Sequence, residues 1–139
     1  MASPQPALRL WQRQANAALL ISPFEQDHKV LRSLFHEQGW KLYETGCLES
    51  ALNLLRNRVA SIVITEKDLP TGNWKDVLGA VCILREPPLV VISSVNADDY
   101  LWAEALNLGA YDVLAKPIER TEAMRVLNSA WIRSGKRYR

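Results

Sequence analysis

Cysteine is scarce in this chain of 139 residues. Cys47 and Cys82 are the two present, and their spacing matches neither a metal site nor a disulfide framework. Two free, buried thiols in a reducing cytosol are therefore expected. Long hydrophobic runs are missing too: none approaches the roughly 18 apolar residues that a membrane span needs. The N-terminal MASPQPALRLWQRQANAALLI lacks the charged, apolar, then small layout of a secretion signal. A cytoplasmic protein without a membrane partner is the expectation. No charge dominates either, since 17 basic and 15 acidic residues leave a net +2. That balance gives no argument for a nucleic-acid partner. Six glycines occur, and none of them forms a P-loop or a dinucleotide fingerprint.

What is present suits one compact domain, with 48% apolar and 23% charged residues. Residues 1–16 read as a leader in which Pro4 and Pro6 oppose an early helix, although Leu8, Trp11 and Ala15 share a helical face. A regular alternation follows over residues 17–133, and residues 134–139 read as a basic tail. AALLI (17–21) is a buried strand. Ser22-Pro23-Phe24-Glu25 predicts a capping box with proline at the first helical position. The helix after it carries Leu31, Leu34, Phe35 and Gln38 on one stripe and ends at Gly39.

WKLYE (40–44) is a second strand, followed by a helix with Leu48, Ala51, Leu52 and Leu55 in register. ASIVI (60–64) is a third strand, and TEKDLPTGN (65–73) a loop. The next helix has Trp74, Val77, Leu78 and Val81 on one face and is closed by Pro87-Pro88. LVVIS (89–93) is the fourth strand. Asn96, Asp98 and Asp99 start a helix that ends at Gly109. YDVLA (111–115) is the fifth strand. The last helix buries Ala123, Val126, Leu127 and Ala130 and stops near Gly135.

Five strand–helix units with apolar central strands imply a doubly wound α/β fold around a five-stranded parallel sheet. Such folds hold their sites beyond the C-terminal strand ends. Ser22 and Pro23 stand there after strand one, Thr65 to Asp68 after strand three, Ser93 and Ser94 after strand four, and Lys116-Pro117 after strand five.

With these positions, and with EQGWKLYETGCLESALNLL, KDLP and ALNLGAYDVLAKPI, the chain resembles the receiver domain of response regulators over about residues 17–133. The resemblance implies a CheY-like three-layer (βα)5 arrangement, shared in topology with flavodoxins. It implies two-component signalling, in which an aspartate takes a phosphoryl group with the help of Mg²⁺, a hydroxyl residue and a lysine. Lys116 matches the family lysine and Ser93 the hydroxyl position. Counting back four residues from Pro70 puts Glu66 where the family has its aspartate. The acidic pair falls on Ser22 and Pro23, which carry no carboxylate. Val113 stands where many receivers have a switching aromatic, and Trp74 where a glycine often follows. Normal phosphorylation is therefore expected to be lost, no cofactor is expected, and Mg²⁺ binding is expected to be weak or absent.

Glu66 has two readings. Its extra methylene could carry the carboxylate to Lys116, roughly where a phosphoryl oxygen would sit; or the two could form an ordinary ion pair at a strand end. Asp68 is a second candidate acceptor, read more simply as a solvated loop acid. Glu25 is read as a capping residue, and His28 and His36 as solvated or half-buried, too far apart for one metal.

With the pocket degenerate, function moves to surfaces, and the chain is expected to bind rather than catalyse. In receivers the face of the fourth helix, fifth strand and fifth helix commonly mediates dimers or docking. Here it includes Tyr100, Leu101, Trp102 and Trp131, with a signalling protein, a sensor kinase or a second copy as partner. An active phosphoacceptor using Glu66 or Asp68 is the alternative. A flavodoxin-like cofactor binder is a more distant one, because SPFEQ offers little to cradle a phosphate.

Overall fold

The computed structural model describes residues 16–57 and 60–137. The expected leader before Asn16 and the last two residues of the basic tail lie outside them. Five parallel strands form the sheet: β1 (Ala17–Ile21), β2 (Lys41–Thr45), β3 (Ile62–Glu66), β6 (Leu89–Ser94) and β7 (Asp112–Ala115). Their order is β2-β1-β3-β6-β7. Helices α1 (Glu25–Gln38), α2 (Leu48–Arg56), α3 (Trp74–Cys82), α4 (Asp99–Asn107) and α5 (Arg120–Arg137) link and follow the strands. The segment read as a plain loop also holds a two-stranded hairpin, β4 (Asp68–Leu69) and β5 (Gly72–Asn73). Gly72 makes that turn possible with φ of 109°.

Alternation along the buried strands divides the core in two. Ala18, Leu20, Ile62, Ile64, Val91 and Leu114 face α1 and α5, against Leu31, Phe35, Val126 and Leu127. Leu19, Ile21, Val63, Val90 and Ile92 face the other way, against Ala51, Trp74, Val77, Leu101 and Ala105. The result is three layers, as the sequence predicts. Strand order reverses at β1 and β3, so the switch point opens at Ile21 and Glu66.

Several local expectations are corrected, the buried thiols among them, since Cys47 is half-buried and Cys82 exposed. Ser22 does not cap α1. Its backbone N–H still bonds the Thr45 carbonyl at 3.0 Å, which holds it in the sheet, and the helix starts later with Phe24 as an uncapped N-cap. Pro23 therefore precedes the helix rather than opening it. Gln38, on the stripe by spacing, is exposed at the last residue of the helix. Strand β3 runs two residues past the predicted 60–64, since its ladder to β1 begins at Ala18 opposite Ile62. The last helix passes through Gly135 to Arg137, with Ser134 buried on its inner face. Helix α3 ends at Cys82, well before Pro87-Pro88.

Candidate functional site

The shift in β3 matters at once, because it carries Glu66 into the sheet opposite Ser93. From there the Glu66 side chain reaches Lys116, which follows β7, and Oε1 forms an ion pair with the Lys116 ammonium. The second Glu66 oxygen accepts from the Lys67 N–H at 2.8 Å. Both side chains of the pair are more than nine-tenths buried.

A second carboxylate completes the cluster. Asp27, in the first turn of α1, accepts from Lys116 Nζ at 2.9 Å and from the Ser22 hydroxyl at 2.6 Å, both at Oδ2. Ser22 Oγ in turn accepts from the Phe24 N–H at 3.0 Å, closing the turn between β1 and α1. The Phe24 ring lies over the same ammonium, its centroid 4.5 Å from Nζ. Burial alone would push the lysine pKa down. Hydrogen bonds to Glu66 and Asp27 outweigh it and hold the pKa above the ordinary lysine value.

Sequence reasoning missed Asp27. It singled out only Glu25 in the first turn, as a capping residue, yet Asp27 stands at i−4 and i−7 from Leu31 and Leu34, on the apolar stripe. An acid on a core-facing stripe was the available signal. His28 was also misread as solvated or half-buried. It is buried, between Glu44 Oε1 at 2.9 Å and the Ser22 carbonyl at 2.8 Å.

Ser93 is buried, and its hydroxyl makes a long contact of 3.5 Å to the Thr65 carbonyl. The hydroxyl residue that lines the cavity above Lys116 is Ser94. That cavity, about 590 Å³, is also lined by Phe24, Asp27, Glu66, Asp68, Val95, Pro117 and Ile118. Asp68 lies on its exposed rim. Val113 and Trp74 are both core residues.

Mg²⁺ would need several hard oxygens free to coordinate it in octahedral geometry. Ser22 and Pro23 bring no carboxylate, and Asp27 and Glu66 are committed to Lys116. No group of three metal-ligating side chains occurs among the described residues. The residues present do not fit the ion.

Of the four residues expected at a docking face, Tyr100 and Trp102 are 80% and 49% exposed. Leu101, 4% exposed, faces the core beside Ala105 because it sits on the inner stripe of α4. Trp131 is largely taken up by packing, edge-to-face with Phe35 and Trp40.

The model of the response regulator receiver domain family matches residues 25–128. No curated protein matches the chain. Among solved structures, the signal receiver domain of an HD domain-containing protein from Pseudomonas fluorescens Pf-5 is 24% identical, with a TM-score of 0.78 over 86% of this chain and 97% of that one. The beryllofluoride-activated NtrC4 receiver domain dimer is 15% identical, with a TM-score of 0.79 over 86% and 98%. A co-crystal of the Saccharomyces cerevisiae histidine phosphotransfer protein Ypd1 with the receiver domain of its response regulator Ssk1 gives 12%, with a TM-score of 0.75 over 84% and 88%. These likenesses concern the fold, while the family match spans most of the chain. This chain belongs to the response regulator receiver domain family.

Proposed function

We propose that this receiver signals without being phosphorylated, by binding a partner protein. Its pocket is closed to a phosphoryl group in the sense that its own carboxylates already occupy Lys116 beneath the cavity. The observation that carries the reading is the engagement of the Lys116 ammonium by Glu66 and Asp27 together. In an active receiver the lysine serves the incoming phosphoryl group; here two of its three N–H donors already have carboxylate partners. Charge-assisted bonds of this kind are worth on the order of 1.5–3 kcal/mol each where solvent is limited. Glu66 places a carboxylate oxygen on that lysine, so the domain rests near its signalling conformation.

Output then passes through the exposed aromatics of α4, Tyr100 and Trp102, to a signalling protein or a second copy. The NtrC4 receiver is a dimer and the Ssk1 receiver pairs with a phosphotransfer protein, which supports a protein partner. The test adds beryllofluoride and Mg²⁺ to ¹⁵N-labelled protein. The amides of Glu66, Ser93, Ser94 and Lys116 are expected to stay in place. A saturable shift at those four would favour a working phosphoacceptor instead.

A further inference from the structure

His28 is the buried titratable group that the pocket cluster does not use directly. Each of its ring nitrogens meets an oxygen: Nδ1 the Glu44 carboxylate, Nε2 the Ser22 carbonyl. A neutral imidazole has one N–H and one lone pair, so it can satisfy only one of them. The other contact would then set a lone pair against an oxygen in a buried site, which is costly. The imidazolium donates at both ends. Glu44 is independently fixed by Arg32, whose Nε and Nη2 donate to its two oxygens at 3.1 and 2.8 Å.

The carbonyl that His28 holds belongs to the residue whose hydroxyl holds Asp27. We propose that His28 is a proton-dependent positioning residue: as an imidazolium it clamps Ser22 to Glu44 and so aims the Ser22 hydroxyl at Asp27 and Asp27 at Lys116. Loss of the proton releases one end of the clamp and loosens the Asp27 arm, while Glu66 keeps its place on the ammonium. This rests on the reading of the pocket as closed by its own side chains.

The charged groups around the ring are consistent with the role. Glu44 faces it from β2, and Arg32, reinforced by Glu25 at 3.8 Å, sits behind Glu44. Asp27 is its neighbour on α1, and Lys116 connects to it through Asp27. On α5, Arg120 pairs with Glu37 at the far end of α1.

Long-range ¹H–¹⁵N spectra of the whole chain follow the ring from about pH 5 to about pH 8, with the exposed His36 as internal reference. The Ser22 and Asp27 amides and the Lys116 ammonium report on the chain of contacts beyond it. Both His28 nitrogens are expected to be protonated at the acid end, and Ser22, Asp27 and Lys116 to move with the ring. In His28→Gln those three signals should lose their pH dependence. In Ser22→Ala the ring should still titrate while Lys116 no longer follows, a result that a general loss of folding would not give. A ring that keeps one protonation state throughout overturns the proposal. So does a Lys116 signal that titrates alike in wild type and His28→Gln. A Lys116 ammonium that exchanges freely at every pH removes the closed pocket and this proposal with it. A protected ammonium that ignores the ring removes the role of His28 alone.

Discussion

Lys116 Nζ donates to Asp27 Oδ2 at 2.9 Å, a contact that spans 89 positions in sequence and ties the first helix to the end of the last strand. The same ammonium holds Glu66, so one cation stands between two buried carboxylates. A buried pair is weak evidence of stability in itself, but breaking it from one side leaves charge uncompensated. Lys116→Met is therefore expected to destabilise the domain by about 3–5 kcal/mol, read from urea denaturation at neutral pH. An unchanged midpoint would mean that the cluster is solvated.

Glu66→Asp shortens the side chain by one methylene and restores the family's residue type. It is expected to lose contact with Lys116 and to cost about 1–3 kcal/mol. It should still fail to accept a phosphoryl group, because Ser22 and Pro23 supply no carboxylates. Mass spectrometry after treatment with acetyl phosphate and Mg²⁺ checks this, and robust uptake would show that the metal site has been misjudged.

How much of this was legible in the sequence depends on the kind of signal. Ala17–Ile21 and Leu89–Ile92 are continuous apolar runs, and both lie in central strands, the second one residue longer than the 89–93 read. Glu66 and Lys116 followed from the count back from Pro70 and from the Lys-Pro after the fifth strand. Ser22 misled because serine before Pro-x-Glu predicts a helix cap, while the ladder to Thr45 keeps it in the sheet. Asp27 was hidden because acids are common in first turns for electrostatic reasons unrelated to any pocket. Its position on the Leu31 stripe carried the answer, and local propensity obscured it. The His28–Glu44 contact joins α1 to β2, and nothing local to either segment announces such a pairing.

Acid should weaken the fold in part through Glu44. The Arg32 guanidinium bonded to it, and secondarily His28, hold its carboxyl below the usual range against the opposing effect of burial. A depressed folded-state pKa contributes stability that is present above the unfolded value and lost as pH falls through the folded one. The stability gap between wild type and Glu44→Gln, followed by thermal melts, should therefore be present above the ordinary glutamate value of 4.5 and close as pH falls below it. Lys116 has the opposite sign, since its pKa is raised. Its contribution is complete below the ordinary lysine value of 10.5 and is lost only as pH rises through the higher folded value.

Neighbouring residues on α4 should separate packing from docking. Leu101→Ala removes a core side chain and should cost about 2–5 kcal/mol. Tyr100→Ala is expected to stay within about 0.5 kcal/mol of wild type in denaturant. The double variant Tyr100→Ala/Trp102→Ala should weaken self-association or partner capture in sedimentation and pull-down measurements. Association unaffected by that double variant would place the docking surface elsewhere.

The central claim, that the pocket is closed by its own side chains and takes no phosphoryl group, meets its most direct test in intact-protein mass spectrometry. The chain is incubated with acetyl phosphate and Mg²⁺ and its mass is followed with time. The account predicts the unmodified mass throughout. A Mg²⁺-dependent phosphoryl adduct, mapped to Glu66 or Asp68, would contradict it.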